Sequence, residues 1–78
     1  MSEQMAIDWV SKLFNEPSGR LAMETTRMDI PDWDSLGALS LMSSLDSDFG
    51  ILLADEEVQQ ITKVSDIVDV LRRNGKLQ

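Results

Sequence analysis

The chain has 78 residues, with seven Lys and Arg against fourteen Asp and Glu, a formal net charge of -7, and neither cysteine nor histidine. That length supports one modest hydrophobic core and no second one, so residues 1–78 are assigned to a single domain. The missing residue types exclude disulfides and thiolate metal sites and remove the commonest neutral-pH general base, and with it most enzyme mechanisms; the acidic balance excludes phosphate backbones and anionic membrane surfaces, which are bound through Lys and Arg.

The charge is not spread evenly. Between Met28 and Thr62 there are eight carboxylates (Asp29, Asp32, Asp34, Asp46, Asp48, Asp55, Glu56 and Glu57) and no Lys or Arg, while the rest of the chain has six acids and seven bases. A concentrated negative segment favours a partner with a basic patch, attracted at long range and released easily. Mutual repulsion of such faces makes the monomer the expected state. Glu3 and Asp8 stand where a signal peptide carries positive charge, and no apolar run approaches the roughly 18 residues a bilayer span requires. A soluble, cytoplasmic protein without membrane insertion is expected, in keeping with the absence of cysteine.

In chain order, Ala6, Trp9, Val10 and Leu13 set a helical stripe from Glu3 to about Asn15, with Ser2 as its N-cap. The stripe places Trp9 in the core. Pro17-Ser18-Gly19 ends this helix and opens a long connection to about Asp32, with Leu21, Met23, Met28 and Ile30 as its anchors. Ile30 precedes Pro31 and is expected to be extended. Trp33 either covers the end of the bundle or stays exposed for a partner. A second helix is predicted over Ser35 to Phe49, burying Leu36, Leu39, Met42, Leu45 and Phe49, with Gly50 as its stop. Its other side, Gly37, Ser40, Ser43, Ser44 and Ser47, is small in a way helix propensity does not favour, which points to a close approach. Ile51 to Ala54 reads as a buried connection, because no second strand candidate exists to pair with it. Asp55-Glu56-Glu57 opens a short helix ending near Gln60, its acids suiting the positive end of the helix dipole. Val64, Ile67, Val68 and Leu71 set the last helix, from about Val64 to Arg73, closed by Asn74-Gly75, with a frayed tail from Lys76 to Gln78. The fold class is therefore all-α: a four-helix bundle of three longer helices and one short one, with a long loop between the first and second.

Ser35 is the candidate for attached chemistry. As a nucleophile in its own right it lacks a base, since no histidine exists and the neighbouring Asp34 is a poor base for an alcohol. On the residues alone, Asp34 or Ser35 is a helix cap. A hydroxyl at a helix N-terminus also suits a phosphodiester made by another enzyme, because free backbone N–H groups and the dipole favour negative charge there. Calcium is excluded: Asp46, Asp48 and Glu57 match three positions of an EF-hand loop, but Ile51 stands where its glycine belongs and an apolar run fills its middle.

From Asp29 to Leu71 the chain resembles the acyl carrier proteins, small helical carriers that hold acyl groups as thioesters on a 4′-phosphopantetheine arm. The resemblance rests on Asp34-Ser35-Leu36, a helix ending in Asp46-Ser47-Asp48-Phe49-Gly50, the second acidic cluster Asp55-Glu56-Glu57, and Ile61-Thr62-Lys63-Val64 ahead of the final helix. It implies that Ser35 receives the arm from coenzyme A through a phosphopantetheinyl transferase, with Asp34 helping to position that enzyme's metal-bound substrate. Leu36 and Met42 would offer apolar contacts, and Asp46, Asp48 and Glu57 would meet basic patches on acyl-transferring or acyl-activating enzymes. The protein would be non-catalytic, and Leu39, Met42, Leu45 and Ile61 would wall a shelter for the acyl chain. Many carriers of fatty acid synthesis have carboxylates at the positions of Gly37 and Ser40, and Trp33 and Ile30-Pro31 also depart from the commonest form. A dedicated carrier for a specialised pathway is the reading that follows. The alternatives are an aminoacyl or peptidyl carrier, which tends to be less acidic, and an unmodified acidic helical adaptor in which Ser35 is only a cap.

Overall fold

Ser2 opens the first helix, its Oγ accepting the N–H of Met5 at 3.1 Å, as its place ahead of an amphipathic run requires. The computed structural model describes residues 1–77, and among these there are four α-helices and no strand: α1 (Glu3–Leu13), α2 (Ser35–Phe49), α3 (Asp55–Gln60) and α4 (Val64–Arg73). Both the all-α class and the long connection between α1 and α2 agree with the sequence reading. The connection contains one 3-10 turn, Arg27–Asp29.

The face that α1 buries is rotated from the expected one. Ala6, Ile7, Val10, Ser11 and Phe14 are buried, while Trp9 and Leu13 are only half-buried. Ser11 is tolerated inside because its Oγ donates to the Ile7 carbonyl at 3.0 Å, satisfying the hydroxyl within the helix. Trp9 thus packs against the core rather than lying inside it. Its ring meets Phe49 edge-on at 5.2 Å, and its Nε1–H donates to Asp48 Oδ2 at 2.8 Å.

A larger correction concerns α2. Leu41 and Leu45 are fully buried and Gly37 with them, whereas Leu36 and Leu39 are 72% and 60% exposed and Met42 and Phe49 half-buried. Apolar residues occur around most of this helix, so three-to-four spacing alone does not select the buried side. Backbone packing selects it. Gly37 lies under the Asp32 carbonyl, near the Phe14 ring, so the close approach at this residue comes from the chain itself, while Ser44 is half-buried. Ser40, Ser43 and Ser47 face solvent.

The long connection is fastened at both ends of its course. Leu21 and Ile30 are buried and Met23 packs against the core, but Met28 is 95% exposed and anchors nothing. Thr26 pairs with Lys63 in an isolated antiparallel bridge, and the Arg27 N–H donates to the Thr62 carbonyl at 2.7 Å. The carbonyls of Thr25 and Met23 accept the N–H groups of Val64 and Ser65, each at 2.9 Å. These are the orphan donors of the first turn of α4, whose N-cap Lys63 makes no side-chain cap bond, so the loop itself caps the helix. At the end of α2, Gly50 adopts φ 68, the left-handed conformation that glycine takes without a Cβ penalty. Beyond it, Ile51 is buried but Leu52 is 79% exposed, so the connection to α3 is buried at one residue rather than throughout.

The tail differs from expectation as well. The Met1 ammonium donates to the Lys76 carbonyl at 3.1 Å, the Lys76 N–H donates to Leu71 at 2.9 Å, and Leu77 packs on the core. Residues 76 and 77 are thus tied down. Gln78, expected to fray with them, lies outside the described residues.

Candidate functional site

Asp34 and Ser35 sit where the long connection turns into α2, and two aromatic rings fix that turn. Trp33, 3% exposed, stacks on Phe14 with ring centroids 5.1 Å apart and planes 15° from parallel, which resolves its two alternatives in favour of covering the bundle end. The Trp33 carbonyl accepts Arg27 Nε–H at 3.0 Å, and Asp32 Oδ2 accepts the side-chain amide of Asn15 at 2.9 Å. The connection therefore reaches Ser35 held on three sides.

Asp34 is the cap. Its Oδ1 accepts the Gly37 N–H at 2.9 Å, and Ser35, the first residue of α2, is exposed with its hydroxyl outside the capping bond. One side chain satisfies the helix end, and the next is left outside the cap. Replacing Asp34 by Ala will cost about 1 kcal/mol through the lost cap, while Ser35→Ala will change stability by less than about 0.5 kcal/mol, both read from urea denaturation midpoints.

Beside Ser35 lies an open groove of about 340 Å³ between α2 and α3. Ala38, Leu39 and Met42 form its α2 wall, at three, four and seven residues from Ser35, and Val58 lines the α3 side. Asp55, Gln59 and Arg27 supply its polar borders. Two of the expected shelter walls, Leu39 and Met42, are therefore here. The other two, Leu45 and Ile61, are buried in the core and do not line this groove. Arg27 escaped sequence reasoning because it stands one residue before the acidic segment and eight before Ser35. Only the bridge to Lys63 and the 3-10 turn bring it to the groove.

The remaining candidates are spread over the surface. Leu36 is exposed beside the cap and Met42 half-buried in the groove. Asp46 and Asp48 are exposed at the C-terminal end of α2, with Asp48 holding Trp9. Glu57 is exposed on α3, where its Oε1 accepts the Ala54 N–H at 3.1 Å and closes the start of that helix.

No family model matches the chain. Among curated proteins it is 35% identical over 54 residues to the acyl carrier protein of Coprothermobacter proteolyticus, a match covering 69% of this chain and 66% of that one. It is 27% identical over 74 residues to the acyl carrier protein of Porphyromonas gingivalis, covering 95% of each. Among solved structures, the holo acyl carrier protein of Geobacter metallireducens superposes with a TM-score of 0.74 at 30% identity, over 90% of this chain and 80% of that one. The structural match in that last comparison extends over most of both molecules, and the chain belongs to the acyl carrier protein family.

Proposed function

We propose that this protein is a non-catalytic, cytoplasmic acyl carrier whose Ser35 bears a 4′-phosphopantetheine arm and presents acyl groups, held as thioesters, to partner enzymes. The observation that carries this reading is the pairing of Asp34, which occupies the cap of α2, with an exposed Ser35 released from capping and opening beside a groove. These residues fit the arm. The hydroxyl is accessible to a transferase, and α2 directs its N-terminal N–H groups and dipole toward that end. When bound, the arm supplies the thiol that a cysteine-free chain lacks.

Attachment is a displacement at phosphorus performed by a phosphopantetheinyl transferase. Ser35 Oγ forms the new O–P bond as the pyrophosphate P–O bond of coenzyme A breaks; the adenosine bisphosphate leaves, and the serine proton passes to the transferase. In this reading Asp34 also faces the transferase's metal-bound substrate. Leu36 and Met42 provide apolar contact, and Asp46, Asp48 and Glu57 provide the charge that draws in basic patches of acyl-activating and acyl-transferring enzymes. Among the described residues, no helix is long and apolar enough to cross a membrane, which is compatible with a freely diffusing carrier.

The test is intact-protein mass spectrometry after co-expression with a promiscuous phosphopantetheinyl transferase. A mass gain of one phosphopantetheine is expected, mapped to Ser35 and absent in Ser35→Ala. An unchanged mass in a correctly folded wild-type protein would reduce the molecule to an acidic adaptor.

A further inference from the structure

We propose that the groove beside Ser35 selects acyl groups bearing a carboxylate, with Arg27 as the residue that recognises it. The inference rests on Ser35 being the tether, and it names the class of cargo.

Arg27 is placed with unusual firmness for a loop cation. Its N–H is bonded to Thr62, its carbonyl accepts the Ile30 N–H at 3.1 Å, and its Nε–H is spent on the Trp33 carbonyl. Three bonds thus fix both the backbone and the root of the guanidinium, while its two terminal NH2 groups make no hydrogen bond or ion pair to the described residues. The side chain is half-buried at the edge of a groove whose walls, Leu39, Met42 and Val58, are apolar. An alkyl chain laid against it would remove water from a charge and return nothing. A carboxylate in the same place would accept charge-assisted hydrogen bonds from the fork that guanidinium presents.

Asp55 also borders the groove and opposes an anion there. It is exposed, whereas Arg27 is half-buried, so solvent screens Asp55 more strongly and the cation dominates the interior of the groove. The net result is a site with an apolar floor, one fixed cation and one screened anion. It suits a short ionised cargo better than a long hydrocarbon.

The experiment uses the full chain, loaded by a promiscuous transferase from succinyl- or butyryl-coenzyme A, two groups of equal length that differ in the terminal carboxylate. Apo protein and protein carrying the arm with a free thiol complete the series. NMR of the Arg27 Nε–H and the Val58 amide reports occupancy, and hydroxylamine cleavage reports thioester protection. With succinyl, both signals are expected to shift, and cleavage, referenced to the same acyl-pantetheine free in solution, to slow about fivefold more than with butyryl, the size of effect one partly exposed charge-assisted hydrogen bond gives. Arg27→Gln should erase the difference and Arg27→Lys retain part of it. Equal shifts and equal protection relative to the free acyl-pantetheines for the two cargoes would overturn the inference while leaving the carrier reading intact. So would a full Arg27 shift on arm attachment alone, which would assign the guanidinium to the phosphodiester. Failure to load at Ser35 removes the tether, and both readings fall together at a step visible by mass before any cargo is compared.

Discussion

Trp33→Ala will destabilise the protein by about 3–5 kcal/mol, the usual consequence of emptying a buried aromatic site. Domains of this size have only about 5–15 kcal/mol in total, so the variant should unfold at far lower urea concentration, followed by the remaining fluorescence of Trp9. The ring is 3% exposed and stacked on Phe14 at 5.1 Å, so its loss empties a buried site and leaves Phe14 without its partner. Its effect extends to the site. The Trp33 carbonyl holds Arg27, and the next residue is the cap of α2, so amide exchange should accelerate over residues 27–37 before the rest of the molecule. Trp33→Phe keeps a ring in the stack and should recover most of the loss. If Trp33→Ala is as stable as wild type, the aromatic pair does not fix the turn into α2.

Gly37→Ala is the second large effect, and an unusual one, because alanine ordinarily strengthens a helix interior. A Cβ at this position would overlap the Asp32 carbonyl oxygen, come 3.0 Å from its carbon and approach Phe14 Cε1 at 3.4 Å. Backbone cannot swing aside as a flexible side chain does, so the 32–34 segment must move, at a cost of about 2–3 kcal/mol. That movement carries Asp34 away from the Gly37 N–H it caps. Slower arm attachment at Ser35 should accompany the lower urea midpoint. Ser40→Ala, on an exposed position three residues on, should change neither. A Gly37→Ala protein of wild-type stability would mean the Asp32 carbonyl does not sit over α2.

The same contact explains a departure from the commonest carriers. A carboxylate at position 37 would need the space that the Asp32 carbonyl fills. Ser40 has no such restriction, being exposed, and nothing in the structure explains why it is not acidic. The Ile30-Pro31-Asp32-Trp33 segment and the glycine at 37 thus form one structural solution: a bulky aromatic pins the loop, and the helix beneath gives up a side chain to receive it.

Local chemistry determined much of this protein without help. Helix ends were legible because Ser2, Asp34 and Gly50 satisfy or terminate the first and last turns through their own side chains or backbone freedom, which requires no distant partner. The position of Ser35 at the start of α2 was legible for the same reason. Which face of α2 turns inward was not, because Leu36, Leu39, Leu41, Met42 and Leu45 offer more apolar surface than one side can hold. Packing of the Asp32 carbonyl onto Gly37 chose the side, and so left Leu36 and Leu39 outside, next to Ser35. Arg27 in the groove, Trp33 on Phe14, Asp48 on Trp9 and the tail on Met1 are likewise tertiary decisions. Each joins residues distant in the chain through bonds that periodicity does not encode. The sequence set where the helices run and where the hydroxyl stands; the folded chain alone decided what surrounds it.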